Sequence, residues 1–273
     1  MIVLPPRLRV RYVRVGRVRF ISQRDTARIF ERAMRRLHAP VKYSEGFSPH
    51  PILSFSAALP TGGASEAEYL DVRFDSAEVT DERFAVGESS EMSLRAFAEA
   101  LSAVLPVGMV VTGAVELDGS ELSLQEAVAC MRWEVDVRAS EPPTIDVRIA
   151  NLMASAEIVV ERQRKGRPVV DNIRENIAVM ESDATPEGAR ITVDLLTHPR
   201  GIRLRELLTA LGSDIELLRA TRTHQWIDQH GERYEPVAVG TFAVVTPPAL
   251  SETDSALTRS SSREREQHEQ RTD

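Results

Sequence analysis

Residues 7–15 read Arg-Leu-Arg-Val-Arg-Tyr-Val-Arg-Val, basic and apolar side chains alternating with period two. That period places successive side chains on opposite faces of extended backbone, so it predicts a half-buried strand whose outer face is a ladder of arginines, ended by Gly16. After Val18–Ile21, the spacing Ser22-Gln-Arg-Asp25 is that of a capping box and predicts a helix running to about Leu37. At about 100° per residue, Thr26, Ile29, Phe30, Ala33, Met34 and Leu37 share one flank, and Arg24, Arg28, Arg32, Arg35 and Arg36 share the other. Pro40 stops this helix. A turn-rich segment from Tyr43 to Pro51 follows, stiffened by the two prolines around His50, and leads to Ile52–Ser56.

The pattern then continues as a strand at Glu66–Phe74, an amphipathic helix at Ser93–Val104 and a β-branched run at Val107–Val115. This β-α-β-β-α-β order is that of a split βαβ, or ferredoxin-like, unit. Beyond a link at Asp118–Ser120 the order recurs. Strands are expected near 131–137, 156–162, 190–196 and 215–220, with helices at 144–155 and 202–211 and a basic hairpin at Arg164–Pro168. Leu94-Arg95 with Ala100-Leu101 is matched at the same spacing by Leu204-Arg205 with Ala210-Leu211. The expected fold is α+β, with two tandem ferredoxin-like units at 1–118 and 119–247. From about Ser251 the chain is mostly Ser, Thr, Glu, Arg and Gln with one leucine, and residues 248–273 are expected to form a disordered tail.

Charge is segregated. Residues 1–50 hold twelve Arg or Lys against three Asp or Glu, a net of +9, which leaves −16 to the rest of a chain whose net charge is −7. Only Lys42 and Lys165 are lysines. No apolar run approaches the roughly 18 residues of a membrane helix, and prolines break the N-terminal apolar start, so a cytoplasmic location is expected. Cys130 is the single cysteine, which excludes an internal disulfide, a four-cysteine zinc site and a cysteine-ligated iron–sulfur cluster.

Phosphate-binding glycine loops, dinucleotide fingerprints and a nucleophile elbow are missing from the sequence, so no cofactor is expected. Six histidines are scattered without an i, i+4 pair, so no metal site is expected either. His50 is the one candidate for proton transfer, an imidazole in a rigid loop beside a basic helix, as against a loop histidine bonded to backbone. Ser22 and Asp25 are read first as the helix cap and second as ligand contacts. The arginine flank of the helix, with Arg9, Arg11 and Arg14 of the strand and Arg164, Lys165 and Arg167 of the hairpin, forms a candidate phosphate-binding surface. Tyr12, Tyr43 and Phe47 are the few aromatics near it.

The run Arg19-Phe-Ile-Ser-Gln-Arg-Asp25, then Glu31-Arg-Ala33 with Arg36, Tyr43-Ser-Glu-Gly-Phe-Ser-Pro-His-Pro51, Ser54-Phe55, Ala58-Leu-Pro60 and Ser65-Glu-Ala-Glu-Tyr-Leu-Asp71 resembles the bacterial radical-SAM-linked protein family, a domain of unknown function. The resemblance is dense from Arg7 to Asp71 and looser to about Thr223. It implies a protein that occurs alone or fused behind a cobalamin-binding radical SAM enzyme, often beside a ribonuclease of the E/G type. Gln23 stands where that family commonly shows histidine.

The expected function is a non-catalytic recognition module that binds RNA or another anionic ligand and works with a radical SAM enzyme or an RNA-processing partner. Its expected binding residues are Arg19, Ser22, Arg24, Asp25, Arg28, Arg32, Arg36, Tyr43, Phe47, His50, Arg164, Lys165 and Arg167. The alternatives are a metal-independent RNA-processing enzyme using His50 and a protein-docking adaptor.

Overall fold

In the computed structural model, residues 2–3, 7–75, 78–79, 90–117, 121–139, 144–164, 167–198, 200–229 and 232–237 are described. The expected link at 118–120, Lys165 and the expected tail at 248–273 lie outside them. The first half runs β1 (Ile2–Val3), β2 (Arg7–Arg14), a 3-10 turn (Gly16–Phe20), α1 (Gln23–Arg36), β3 (Leu53–Phe55), β4 (Ala64–Arg73), β5 (Glu78–Val79), α2 (Ser90–Val104) and β6 (Met109–Glu116). The second runs α3 (Leu124–Ala127), β7 (Val128–Ala139), α4 (Ile145–Ala154), β8 (Val159–Arg164), β9 (Arg167–Asn172), β10 (Ile177–Thr185), β11 (Gly188–Leu196), α5 (Leu204–Leu211), β12 (Ile215–Gln229) and β13 (Glu232–Tyr234).

The fold is mixed α+β around one large, mostly antiparallel sheet. Nine strands form it in the order β10-β11-β7-β12-β4-β2-β6, with β3 added to β4 and β13 to β12. The strands β3, β4, β2 and β6, and likewise β10, β11, β7 and β12, lie side by side in antiparallel pairs. In each half the order across the sheet is therefore second, third, first, fourth by chain position. Helices α2 and α5, which carry Leu94–Leu101 and Leu204–Leu211, each connect the third strand to the fourth. The β8–β9 hairpin is a separate two-stranded sheet between α4 and β10.

Local sequence explains most elements. Ser22 caps α1, its hydroxyl accepting the Asp25 amide at 3.1 Å, and the helix ends at His38, which takes φ 51° before Pro40. Leu8, Val10 and Tyr12 of β2 pack with Phe30 and Met34 of α1 and Phe97 and Leu101 of α2 in one core. Trp133, Val135 and Val137 of β7 pack with Ile145 and Ile149 of α4 and Leu204 and Leu207 of α5 in a second. Gly108 (φ +93°) turns the chain into β6 where an added Cβ would meet the Val15 carbonyl at 2.3 Å, so this position admits only glycine.

The arginine ladder expected on an outer face is instead interior. Arg9, Arg11 and Arg14 are 3%, 6% and 0% exposed. Arg9 forms a forked pair with Asp71 of β4 at 2.7 and 3.0 Å, and Arg7 shares that carboxylate at 2.7 Å. Arg11 donates to Glu235 at 2.5 Å and to the Tyr69 hydroxyl at 3.3 Å. The reason is coverage: carbonyls at Glu121 and Leu122 and the segment after β13 close over that side of the sheet.

Strand β12 runs past its expected end at Ala220, because its polar continuation finds partners in the other half. β12 and β4 run parallel at Thr221–Ala64 and Arg222–Ser65, on the stretch of the β4 edge that short β3 leaves open. Arg222 and Glu68, 1% and 3% exposed in their side chains, form an ion pair there at 2.5 Å. Arg222 also donates to the Ala57 carbonyl at 2.9 Å and lies 5.4 Å from the Trp133 ring centre. Gln225 donates to the Ala67 carbonyl and to Ser56. Removing one member strands a buried charge, so Arg222→Met or Glu68→Met should cost about 3–5 kcal/mol, and the double variant Arg222→Met with Glu68→Met should lose less than either. Urea unfolding measures all three; additive losses would show that the pair does not join the halves.

Candidate functional site

A cleft of about 1630 Å³ opens over this seam, on the side of the sheet that carries the helices. Its floor is Met131, Trp133, Ala220 and Arg222 of β7 and β12; one wall is α5 and the turn before it; the other is the Leu53–Gly63 segment with Arg19, Phe20 and Gln23. Five arginines line it, Arg19, Arg203, Arg205, Arg219 and Arg222, and among the described residues its lining holds no aspartate, glutamate, lysine or histidine. Arg222 is matched from beneath by Glu68. Arg205 and Arg219 are exposed and have no partner among the described residues. In a chain of net charge −7, a concave surface without a carboxylate concentrates positive potential, and the low-dielectric apolar floor strengthens it.

Small-molecule pockets span roughly 300–1,000 Å³, so this cleft has the size for a segment of a larger ligand. Its polar lining adds Ser54, Thr61 and Ser213, which can donate hydrogen bonds to anionic oxygens, whereas the hydroxyls of Ser123, Thr197 and Thr209 already donate to Glu126 and to the Val128 and Arg205 carbonyls. Two apolar side chains stay open on opposite walls, Phe20 at 58% and Leu217 at 48% exposure.

The residues singled out from the sequence fall into four places. Arg19 lines the cleft, and Gln23 joins it. Arg24, Arg28, Arg32 and Arg36 lie on the exposed flank of α1, which starts at the cleft mouth with Gln23; Arg28 bonds Asp25 at 3.3 Å. Ser22 and Asp25 are engaged in the cap, where the Ser22 hydroxyl, and then Arg28, hold the Asp25 carboxyl below the usual carboxylate range. Tyr43, Phe47 and His50 belong to a hairpin-like loop outside the cleft, with Phe47 fully exposed at its tip. His50 Nδ1 lies 3.0 Å from the Ser44 hydroxyl and 3.4 Å from the Ser48 carbonyl, so its described contacts are to loop groups and include no second acid or base. Arg167 is an exposed residue of the β8–β9 hairpin, away from the cleft lining, and Arg164 is on the facing strand.

Sequence reasoning missed Arg203, Arg205, Arg219 and Arg222. Net charge over the first fifty residues counted the β2 arginines with the rest, whereas Arg7 and Arg9 pair with Asp71 and Arg11 with Glu235. A local signal existed: Arg200-Gly-Ile-Arg-Leu-Arg205 and Arg219-Ala-Thr-Arg222 each hold arginines without an intervening acid. No group of three or more metal-ligating side chains occurs among the described residues. No helix among them is long and apolar enough to cross a membrane.

Residues 7–206 match a family described as an uncharacterized protein conserved in bacteria (DUF2344). No curated protein matches the chain. Among solved structures, a chain from the crystal structure of a Cbf5–Nop10–Gar1 complex is similar at a TM-score of 0.43 and 9% identity, over 80% of this chain and 48% of that one. This chain thus spans about half the length of that neighbour.

Cys130 is fully buried in β7 and faces away from the cleft lining. Burial pushes its thiol up to about 11. A raised thiol value favours the folded, protonated form, so that contribution is complete below the unfolded-chain value of about 8.5 and is lost as pH rises through about 11. Iodoacetamide at pH 8 should therefore leave Cys130 unmodified in the native protein and label it promptly in urea, as mass spectrometry would read. Fast native labelling would show an accessible thiolate instead.

Proposed function

We propose that this chain, which belongs to that family of uncharacterized proteins conserved in bacteria, is a non-catalytic recognition module that holds an anionic ligand, RNA, in the cleft between its halves. The observation that carries this reading is the cleft lining, five arginines and no carboxylate in an acidic chain. The exposed arginines of α1 extend it, since the helix leaves the cleft mouth at Gln23 with Arg24, Arg28 and Arg32 along its outer flank. Both halves are read here as variants of the split βαβ unit, fused edge to edge, with the β8–β9 hairpin inserted in the second.

The module works beside a partner enzyme, a radical SAM enzyme or an RNA-processing enzyme. Phe47, fully exposed on a loop closed by the Ser44–His50 contacts, offers that partner a rigid apolar knob. Cleavage chemistry at His50 is the less supported alternative, because its described neighbours are loop groups.

Charge reversal tests the reading. Arg205→Glu with Arg219→Glu should weaken RNA binding at least tenfold and reduce the slope of log K against log salt by about 0.7 for each phosphate no longer neutralised. Arg24→Glu with Arg28→Glu should have a smaller effect of the same kind. Fluorescence anisotropy with labelled RNA across a salt series measures both; unchanged affinity and slope for the cleft variant would remove RNA from the cleft and leave a docking adaptor.

A further inference from the structure

Arg14, fully buried at the end of β2, bonds the carbonyls of Val18 at 3.2 Å, Arg19 at 3.1 Å and Ile21 at 2.7 Å, and reaches the Thr26 hydroxyl at 3.3 Å. One planar guanidinium thus clamps the whole turn that enters α1, where a flexible ammonium would not satisfy three diverging carbonyls. Loop 60–63 locks onto the same turn, with the Gly62 amide donating to the Arg19 carbonyl at 2.8 Å. Gly62 takes φ +91°, and an added Cβ there would sit 3.9 Å from the Phe20 ring.

What this clamped turn presents to the cleft is an aromatic ring. Phe20 is 58% exposed, and the Arg19 guanidinium lies 4.5 Å from its ring centre. Beside it, the Gln23 Oε1 is shielded from solvent and accepts no hydrogen bond among the described residues. A shielded acceptor without a donor is costly, and a ligand that completes it while covering the open ring gains on both counts. A ligand that does so needs a planar face, an N–H group and negative charge.

We propose that the cleft takes unpaired RNA, with one base stacked on Phe20 and donating an N–H to Gln23, and with the neighbouring phosphates on Arg203, Arg205 and Arg219. Every base offers a ring face to an aromatic side chain, and only an unpaired strand can turn its bases into a cleft; a duplex keeps them stacked inside. An acidic peptide would satisfy the arginines and could reach the amide with a backbone N–H, but would offer no flat face to the ring. The proposal rests on the anionic-ligand reading above and specifies its chemistry. Arg14 acts on this site as a positioning residue, through the turn.

The test uses fluorescence anisotropy with a labelled single-stranded RNA 12-mer, the same strand annealed to its complement, and a poly-glutamate peptide. Phe20→Ala should weaken single-strand binding roughly 5- to 100-fold with the salt slope unchanged, Phe20→Tyr should retain it, and Gln23→Ala should weaken it more modestly. Phe20 is a surface side chain, and a thermal melt confirms that its variants fold. The duplex should bind more weakly and be indifferent to Phe20. If Phe20→Ala binds as the unaltered protein does while Arg205→Glu with Arg219→Glu does not, the anionic reading stands and base stacking is overturned. Equal binding of duplex and single strand, or peptide binding that depends on the arginines alone, overturns it as well. If the unaltered protein binds neither RNA, both readings fall.

Discussion

The buried ion pair between Arg222 and Glu68 holds the molecule together as one sheet. Two antiparallel sets of four strands each carry a main core, with Leu59 of the first half packed into the second and a small third cluster joining Ala67 and Tyr69 to Leu124 and Val237. Within the sheet the two sets meet in a short parallel contact of β12 with β4, two residue pairs long in register. So few main-chain bonds do not fix an orientation. The seam gains it from side chains: Arg222 on Glu68 and on the Ala57 carbonyl, and Gln225 on Ser56 and Ala67, all shielded from water. Polar groups buried this way tolerate no slippage, because a shift by one residue leaves a charge without its partner.

That same pair shapes the cleft. With Glu68 beneath it, Arg222 sits in the floor as part of a neutral couple, next to Trp133, while Arg203, Arg205 and Arg219 stand around it without carboxylates in the lining. The floor is thus apolar and nearly uncharged and the walls are cationic. On the proposed reading, an anionic ligand would gain Coulomb energy at the walls and cover apolar surface at the floor.

Arginine serves three unlike purposes in this chain. On the far side of the sheet it forms forked pairs with carboxylates, Arg9 with Asp71 and Arg132 with Asp194, which tie strands across the sheet. At Arg14 it bonds three carbonyls, and there burial pulls the guanidinium below the usual arginine value, with the nearby Glu68 opposing the shift. At Arg203, Arg205 and Arg219 of the cleft and along α1 it faces solvent. The residue type is constant and the neighbours decide the role, which explains why counting basic residues pointed to the N-terminal fifty and missed the arginines of α5 and β12.

Much of the secondary structure was legible from residues alone, because it depends on short-range periodicity and caps: the alternation in β2 and the Ser22–Asp25 cap and apolar flank of α1. In the second half the expected strand at 156–162 instead falls in the separate β8–β9 hairpin, and β10 carried no signal that set it apart as a strand of the main sheet. The polar run Thr221–Gln225 carried no strand signal, since Arg222 and Gln225 are buried by partners more than 150 positions away, and pattern rules read burial as hydrophobicity. For the same reason the β2 arginines looked like a surface: alternation tells which residues share a face, and only the packing of Glu121–Leu122 and Glu235 over that face decides whether water reaches it. The sequence by itself determined the helices and the strands with clear alternation, and which residues carry charge. Tertiary structure alone decided which of those charges are cancelled and which converge on the cleft, because cancellation depends on distances between residues that the chain order does not contain.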